Sequence, residues 1–331
     1  MDHSADNSVM AEKTLMVADI FKFKSKIING CLFGNFTDWE AIKNLKNLPI
    51  REDDIVISSY QRSGTHWAVE LIDLVRKEGN TELVKQSHIT DRFHWFEMAK
   101  QYTDGKVDDI FTYEGDGKCL DDITMAPSPR ILVTHLGYDF MPEGVKTGKC
   151  KTIVVLRNPK SVLVSQVHLY NVFGNNYTTR PTLDILLNSH LRDDNDKVLY
   201  GTWLSHVTSW WKQREATKDH IFFLRYEDMK KDMKGVIHKL ASFLNKDLDE
   251  ETISKIVHHL TFEQMKANPS TGDAFTRVKK SSKIDDTTPA AHMRKGVISN
   301  WKQQMTVAQS ERIDAFYSPR LNAIGLTFHY E

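Results

Sequence analysis

Cysteine is scarce, with three in 331 residues, and Cys31, Cys119 and Cys150 lie far apart without a C-x-x-C pair. That excludes a disulfide framework and a zinc knuckle, and it fits a reducing compartment, so a cytoplasmic location is expected. Long apolar runs are missing too. None approaches the roughly 20 residues of a membrane span, and the N-terminus is polar from Met1 to Thr14, so no membrane partner is expected. Excess charge of either sign is absent: Lys plus Arg equals Asp plus Glu at 44 each. No global field therefore draws nucleic acid, and any anion site must be local. The Walker A pattern G-x-x-x-x-G-K-[ST] does not occur, which disfavours a standard P-loop kinase or GTPase. Adjacent His258 and His259 point to different faces of any helix, and no metal site is expected.

What is present is a globular composition, 40% apolar and 27% charged, in a chain long enough for one large α/β unit. Met16, Ile20, Phe23 and Ile27 recur at helical steps, so residues 14–29 read as an amphipathic helix within an N-terminal extension, 1–30, ahead of a single domain over 31–331. Residues 101–127 hold seven acids and three glycines and read as an exposed acidic insertion. Residues 266–292, rich in Ser, Thr and Lys, read as a lid-like loop.

Short β-branched runs alternate with helical spacing. Ile55 to Tyr60 is followed by the loop Gln61-Arg62-Ser63-Gly64-Thr65-His66 and then by helical Trp67 to Arg76. Ile131 to His135 is a further strand. Thr152 to Leu156 precedes helical Ser161 to Tyr170, and Ile221 to Leu224 precedes helical Val236 to Leu244. This predicts an α/β fold with a central, mostly parallel sheet flanked by helices.

A strand that ends in small residues and feeds a helix presents free N–H groups and a positive dipole end, which suits phosphate. Ser63 and Gly64 allow close approach, Thr65 adds a hydroxyl and Arg62 a permanent charge. Taken alone, this could also be a plain β–α turn. Two more basic segments stand at loop positions, Arg157-Asn158-Pro159-Lys160 after a buried strand and Arg294-Lys295-Gly296 ahead of Trp301. Ser165 stands about two helical turns beyond Arg157. Together these suggest several phosphate groups on one ligand.

Tyr60-Gln61-Arg62-Ser63-Gly64-Thr65-His66-Trp67 resembles the 5′-phosphosulfate loop of the cytosolic sulfotransferases, Y-P-K-S-G-T-T-W. Arg157 to Ser165 resembles their 3′-phosphate motif, and Arg294-Lys295-Gly296 with Trp301-Lys302 their R-K-G-x-x-x-x-W-K segment. Thr134-His135-Leu136 resembles the T-H-L of the catalytic histidine, Tyr226-Glu227-Asp228-Met229 the family's Y-E-D-M, and Phe262-Glu263-Gln264-Met265 its F-x-x-M. Lys302 to Glu311 is similar to the dimer segment K-x-x-x-T-V-x-x-x-E. The chain departs from the pattern at Gln61 for proline, Arg62 for lysine, His66 for the second threonine and Val133 for a lysine.

The resemblance implies a phosphate-binding strand–loop–helix fold and a sulfotransferase that uses 3′-phosphoadenosine 5′-phosphosulfate (PAPS), without a metal. Adenosine 3′,5′-bisphosphate (PAP) would be the product, and a small hydroxylated molecule or an amine the acceptor. It implies His135 as general base, with Arg62 and Ser165 as the other catalytic residues. Arg62, Ser63, Gly64, Thr65, His66, Trp67, Arg157, Ser165, Tyr226, Phe262, Arg294, Lys295 and Gly296 would bind the nucleotide. Trp67 and Phe262 would sandwich adenine, or else serve as ordinary core aromatics. A homodimer through Lys302 to Glu311 is implied as well. Three other readings remain at this point: a nucleotide binder of the same fold that has lost transfer, a nucleotide phosphotransferase and, within the family, sulfation that creates a leaving group for elimination.

Overall fold

A computed structural model describes residues 14–98, 118–271 and 296–331. Its centre is a five-stranded parallel sheet of β3 (Ile55–Ser59), β4 (His94–Trp95), β5 (Ile131–Thr134), β6 (Lys151–Leu156) and β7 (Ile221–Arg225), in the order β4-β5-β3-β6-β7. A two-stranded hairpin, β1 (Ser25–Ile28) with β2 (Cys31–Gly34), lies apart from it. The register sets Ile55 of β3 against Ile131 of β5 on one side and Lys151 of β6 on the other. Val56, Ile57, Leu132, Val133, Ile153 and Val154 are fully buried, as strands covered on both faces must be.

The helices that matter for the site are α1 (Thr65–Arg76), α2 (Lys118–Met125), α3 (Pro159–Val172), α4 (Tyr226–Lys231), α5 (Glu250–His259), α6 (Phe262–Ala267) and α7 (Val307–Asn322). Helix α3 starts where Asn158 Oδ1 accepts from Ser161 N at 2.8 Å, with Pro159 in the first turn, a position that needs no N–H donor. The chain leaves β3 and winds to β5 on one side and β6 on the other. That places a topological switch point at the C-terminal ends of these three strands, where open α/β sheets bind ligands.

The N-terminal expectation is corrected. Residues 14–29 form no amphipathic helix; they hold one 3-10 turn, Val17–Ile20, and then β1. Asn29 and Gly30 both take positive φ, 49° and 79°, and an Asn-Gly pair with that twist closes a two-residue hairpin. Lys22, Lys24 and Lys26 are exposed on either side of buried Phe23, and Ile27 at the supposed helical step is 53% exposed. The hairpin straddles the boundary set at residue 30.

The acidic insertion is corrected in part: 101–117 lie outside the described residues, whereas 118–125 are α2, which buries Cys119 and Ile123. Of the lid-like loop, 272–292 lie outside the described residues; Ser270 and Thr271 are buried, and the Ser270 carbonyl accepts from Ile89 N at 2.8 Å. Among the described residues no helix is long and apolar enough to cross a membrane.

Candidate active site

Each strand of the sheet delivers a side chain to the same edge. Arg62 follows β3, Glu97 follows β4, His135 follows β5, Arg157 follows β6 and Tyr226 follows β7. In the loop after β3, Arg62 holds φ at 67° and Gly64 at 101°, the left-handed region that favours glycine. A Cβ on Gly64 would also fall 2.7 Å from Tyr226 Cδ2, so the aromatic ring packs directly on the loop backbone. Thr65 Oγ1 lies 2.7 Å from Ser59 Oγ. Ser63 Oγ is buried and has no hydrogen-bond partner among the described residues; a buried hydroxyl left this way is suited to a ligand.

Arg62 points along the sheet edge to α3, where its Nε donates to Ser165 Oγ at 2.9 Å. Its own carbonyl accepts from Arg157 Nη1 at 2.8 Å. The Arg157 guanidinium lies 4.0 Å over the Tyr226 ring, and its buried Nε has no partner among the described residues. The structure thus brings Arg62, Ser63, Gly64, Arg157, Ser165 and Tyr226 together. Ser63 Oγ and Arg157 Nε, both orphaned and buried, fit an anionic ligand there.

The Trp67 ring stands edge-on to Tyr226 at 5.3 Å, with Trp67 Nε1 donating to the Leu260 carbonyl at 3.0 Å. That bond holds Trp67 to the turn leading into α6, whose first residue is Phe262. Gly296 packs on the same aromatic: a Cβ there would meet Phe262 Cδ2 at 2.7 Å. Ile298 O then accepts from Ser161 Oγ at 2.8 Å. Arg294 and Lys295 lie outside the described residues.

His135 is fixed at both ends. Its ring Nδ1 lies 2.7 Å from the Ser59 carbonyl; a carbonyl only accepts, so Nδ1 carries the proton and Nε2 is left as the acceptor. The Trp95 and Tyr200 rings flank it at 4.7 and 5.5 Å. Burial lowers its pKa from 6.5 to about 4, against the pull of the Ser59 carbonyl and with help from Arg62. His66 is held down to about 3 by burial first, then by Arg62 and His135. Its ring stands edge-on to Phe93 at 5.9 Å, on the side of Trp95.

Sequence reasoning missed Glu97 and Tyr200. Glu97 is fully buried, and its carboxyl accepts from Thr134 Oγ1 at 2.8 Å and His135 N at 2.7 Å. Burial lifts its pKa to about 7 in spite of these bonds. A lone acid within Phe93-His94-Trp95-Phe96-Glu97-Met98, an otherwise apolar and aromatic run, was the available signal.

A family model for the sulfotransferase domain matches residues 52–325. Sulfotransferase 1B1 of Mus musculus is 34% identical over 312 residues, 94% of this chain and 96% of that one. Sulfotransferase 1C2 of Homo sapiens is 32% identical over 320 residues, 96% and 99% of the two chains. Among solved structures, retinol dehydratase in complex with androsterone and the inactive cofactor PAP superposes with a TM-score of 0.77 at 21% identity, covering 94% of this chain and 93% of that one. A mouse sulfotransferase complexed with PAP gives 0.67 at 27% identity, covering 90% and 95%.

Proposed function

The chain belongs to the sulfotransferase family and is an enzyme of the PAPS-dependent class; on that premise we propose that it sulfates a hydroxyl of a small acceptor by in-line transfer with His135 as base. When bound, the donor supplies a sulfuryl group already activated by a phosphate leaving group. The acceptor oxygen forms the new bond to sulfur as the bond between sulfur and the 5′-phosphate oxygen breaks, and PAP departs. His135 Nε2 takes the proton that the acceptor loses. Arg62 offers a fixed cation to the charge that builds on the departing phosphate; as a guanidinium it stabilises that charge without giving up a proton. Ser165 orients Arg62 through its hydroxyl. Ser63, Gly64, Thr65 and the N-terminus of α1 hold the 5′-phosphate, Arg157 the 3′-phosphate, and Trp67, Tyr226 and Phe262 the base. Trp95 and Tyr200 give the acceptor side flat apolar walls, which suit a ring-bearing alcohol or phenol.

The observation that carries this reading is the hydrogen bond from His135 Nδ1 to the Ser59 carbonyl, which commits the ring to the tautomer whose Nε2 can accept a proton. Incubation of the purified protein with sulfur-labelled PAPS and a panel of phenols and alcohols tests it. Label is expected on an acceptor; tight PAP binding with no transfer to any acceptor would instead mark a nucleotide binder that has lost catalysis.

A further inference from the structure

We propose that Glu97 is a positioning residue for His135, holding the backbone on which the histidine stands so that its ring meets the acceptor in one orientation. This inference rests on the reading of His135 as base. Glu97 follows β4, whose pairing with β5 continues through Phe96 N to the Val133 carbonyl at 3.0 Å. Its own carbonyl accepts from Asp38 N at 2.8 Å. So anchored, the carboxyl reaches the end of β5, where each oxygen takes one donor: Oε1 the His135 N–H and Oε2 the Thr134 hydroxyl. The Thr134 hydroxyl oxygen accepts in turn from Leu136 N at 3.0 Å. The turn from 134 to 136 is therefore tied at three successive residues to one carboxyl or to its partner.

Glu97 and Thr134 are both fully buried, so water does not replace these bonds. Among the described residues no lysine or arginine pairs with Glu97. A buried carboxyl without a cation is costly, and simple filling of the space would be served by an apolar or amide side chain. A carboxylate alone presents two acceptor oxygens in one plane, and here the two donors facing it belong to the base and to its neighbour. With Ser59 O fixing the ring and Glu97 fixing the backbone, His135 is held from opposite ends. A displacement of about 1 Å at such a group can cost on the order of 10² in rate.

Glu97→Gln, nearly isosteric, keeps one acceptor and loses the other; Glu97→Ala loses both. With 1-naphthol as probe acceptor, kcat is expected to fall about tenfold in the first and on the order of a hundredfold in the second, while the PAP dissociation constant changes by less than about threefold. On a His135→Ala background, Glu97→Gln should add nothing, because it acts through the histidine. Nitrogen-15 spectra should show one His135 tautomer, protonated at Nδ1, in the wild type and a mixture in Glu97→Gln. Unchanged kcat in folded Glu97→Gln, or losses that multiply with those of His135→Ala, would overturn the assignment. If the wild type sulfates nothing, the reading of the enzyme falls instead, and the tautomer spectra alone decide the role of Glu97: an unaltered His135 signal in the variant rejects it.

Discussion

Arg62 Nε donates to Ser165 Oγ across 2.9 Å, joining the loop after β3 to the second turn of α3 although 103 residues separate the two. A second bond, from Arg157 Nη1 to the Arg62 carbonyl, ties the same loop to the end of β6. The cation proposed to serve the leaving phosphate is thus held by side chain and by backbone. Arg62→Ala is expected to lower kcat by about 10²–10³, the worth of one preorganised charge donor. Arg62→Lys should retain or raise turnover, because the loop needs a cation and lysine supplies one. Ser165→Ala should cost less than Arg62→Ala. Steady-state rates with labelled PAPS check the order; a lysine variant as inactive as the alanine one would show that the guanidinium fork is required.

His135→Ala should reduce turnover by roughly 10²–10⁴, the usual contribution of a positioned general base. PAP binding, measured calorimetrically, should stay within about threefold, since His135 lies at the end of β5 and the nucleotide contacts are proposed at β3, β6 and β7. Retained turnover in the folded variant would remove the base assignment.

The main sheet and its candidate ligand edge were legible because parallel strands covered on both faces need apolar runs, and Ile55 to Ile57, Ile131 to Val133 and Ile153 to Leu156 supply them. The N-terminal hairpin was misread because Met16, Ile20, Phe23 and Ile27 satisfy a helical period, while Lys22, Lys24 and Lys26 satisfy an alternating one. The Asn29-Gly30 turn decides between them. Strand β4 is only two residues long and has no periodicity to read, so Glu97 was hidden with it. The pairing of Tyr200 with His135 was hidden for a different reason: it depends on the Tyr200 N–H bonding to the Leu32 carbonyl, a contact between segments far apart in sequence.

Residues 302–311 are proposed as a small two-fold contact between copies. Val307 is 74% exposed at the start of α7, and in an isologous contact the same segment from each copy meets its mate. Val307→Glu should then yield an active monomer, because this residue touches none of the site described above. Sedimentation at micromolar concentration checks it; a monomeric wild type would end the claim.

Acid should destabilise the fold before it touches the surface. Burial is the first cause that holds His66, His190 and His206 near 3 and His135 near 4. In the unfolded chain these groups titrate at about 6.5. Their folded values are depressed, so the stability they contribute is whole above about 6.5 and is lost as pH falls toward 3–4. Glu97 has the opposite sign: raised to about 7, it contributes fully below its unfolded value and loses that contribution as pH rises through 7. Four histidines outweigh one carboxyl, so the melting temperature should drop from pH 6.5 to 4, and His190→Gln should flatten the slope. A melting temperature constant over that range would contradict the burial of these rings.

The 3′-phosphate separates PAP from AMP, and the structure puts an arginine with an unused nitrogen where it is proposed to lie. Arg157 already spends Nη1 on the Arg62 carbonyl and its face on Tyr226, yet its Nε is buried without a partner among the described residues. A buried donor left unsatisfied costs about 1–3 kcal/mol, and a phosphate oxygen would relieve that cost while adding a charge-assisted bond of about 1.5–3 kcal/mol. Arg294 and Lys295, which lie outside the described residues, are proposed on their sequence motif alone to serve the same phosphate. A ligand that loses two such bonds should bind weaker by about 3–6 kcal/mol, at least a hundredfold. Because ligand stabilisation follows concentration over dissociation constant, PAP should raise the melting temperature at concentrations where AMP barely moves it. Arg157→Ala should erase the difference between the two nucleotides, and any fall in the AMP response would report the lost brace on the Arg62 loop. Equal shifts from PAP and AMP in the wild type would mean that Arg157 serves only to brace the Arg62 loop, and that the 3′-phosphate is not read here.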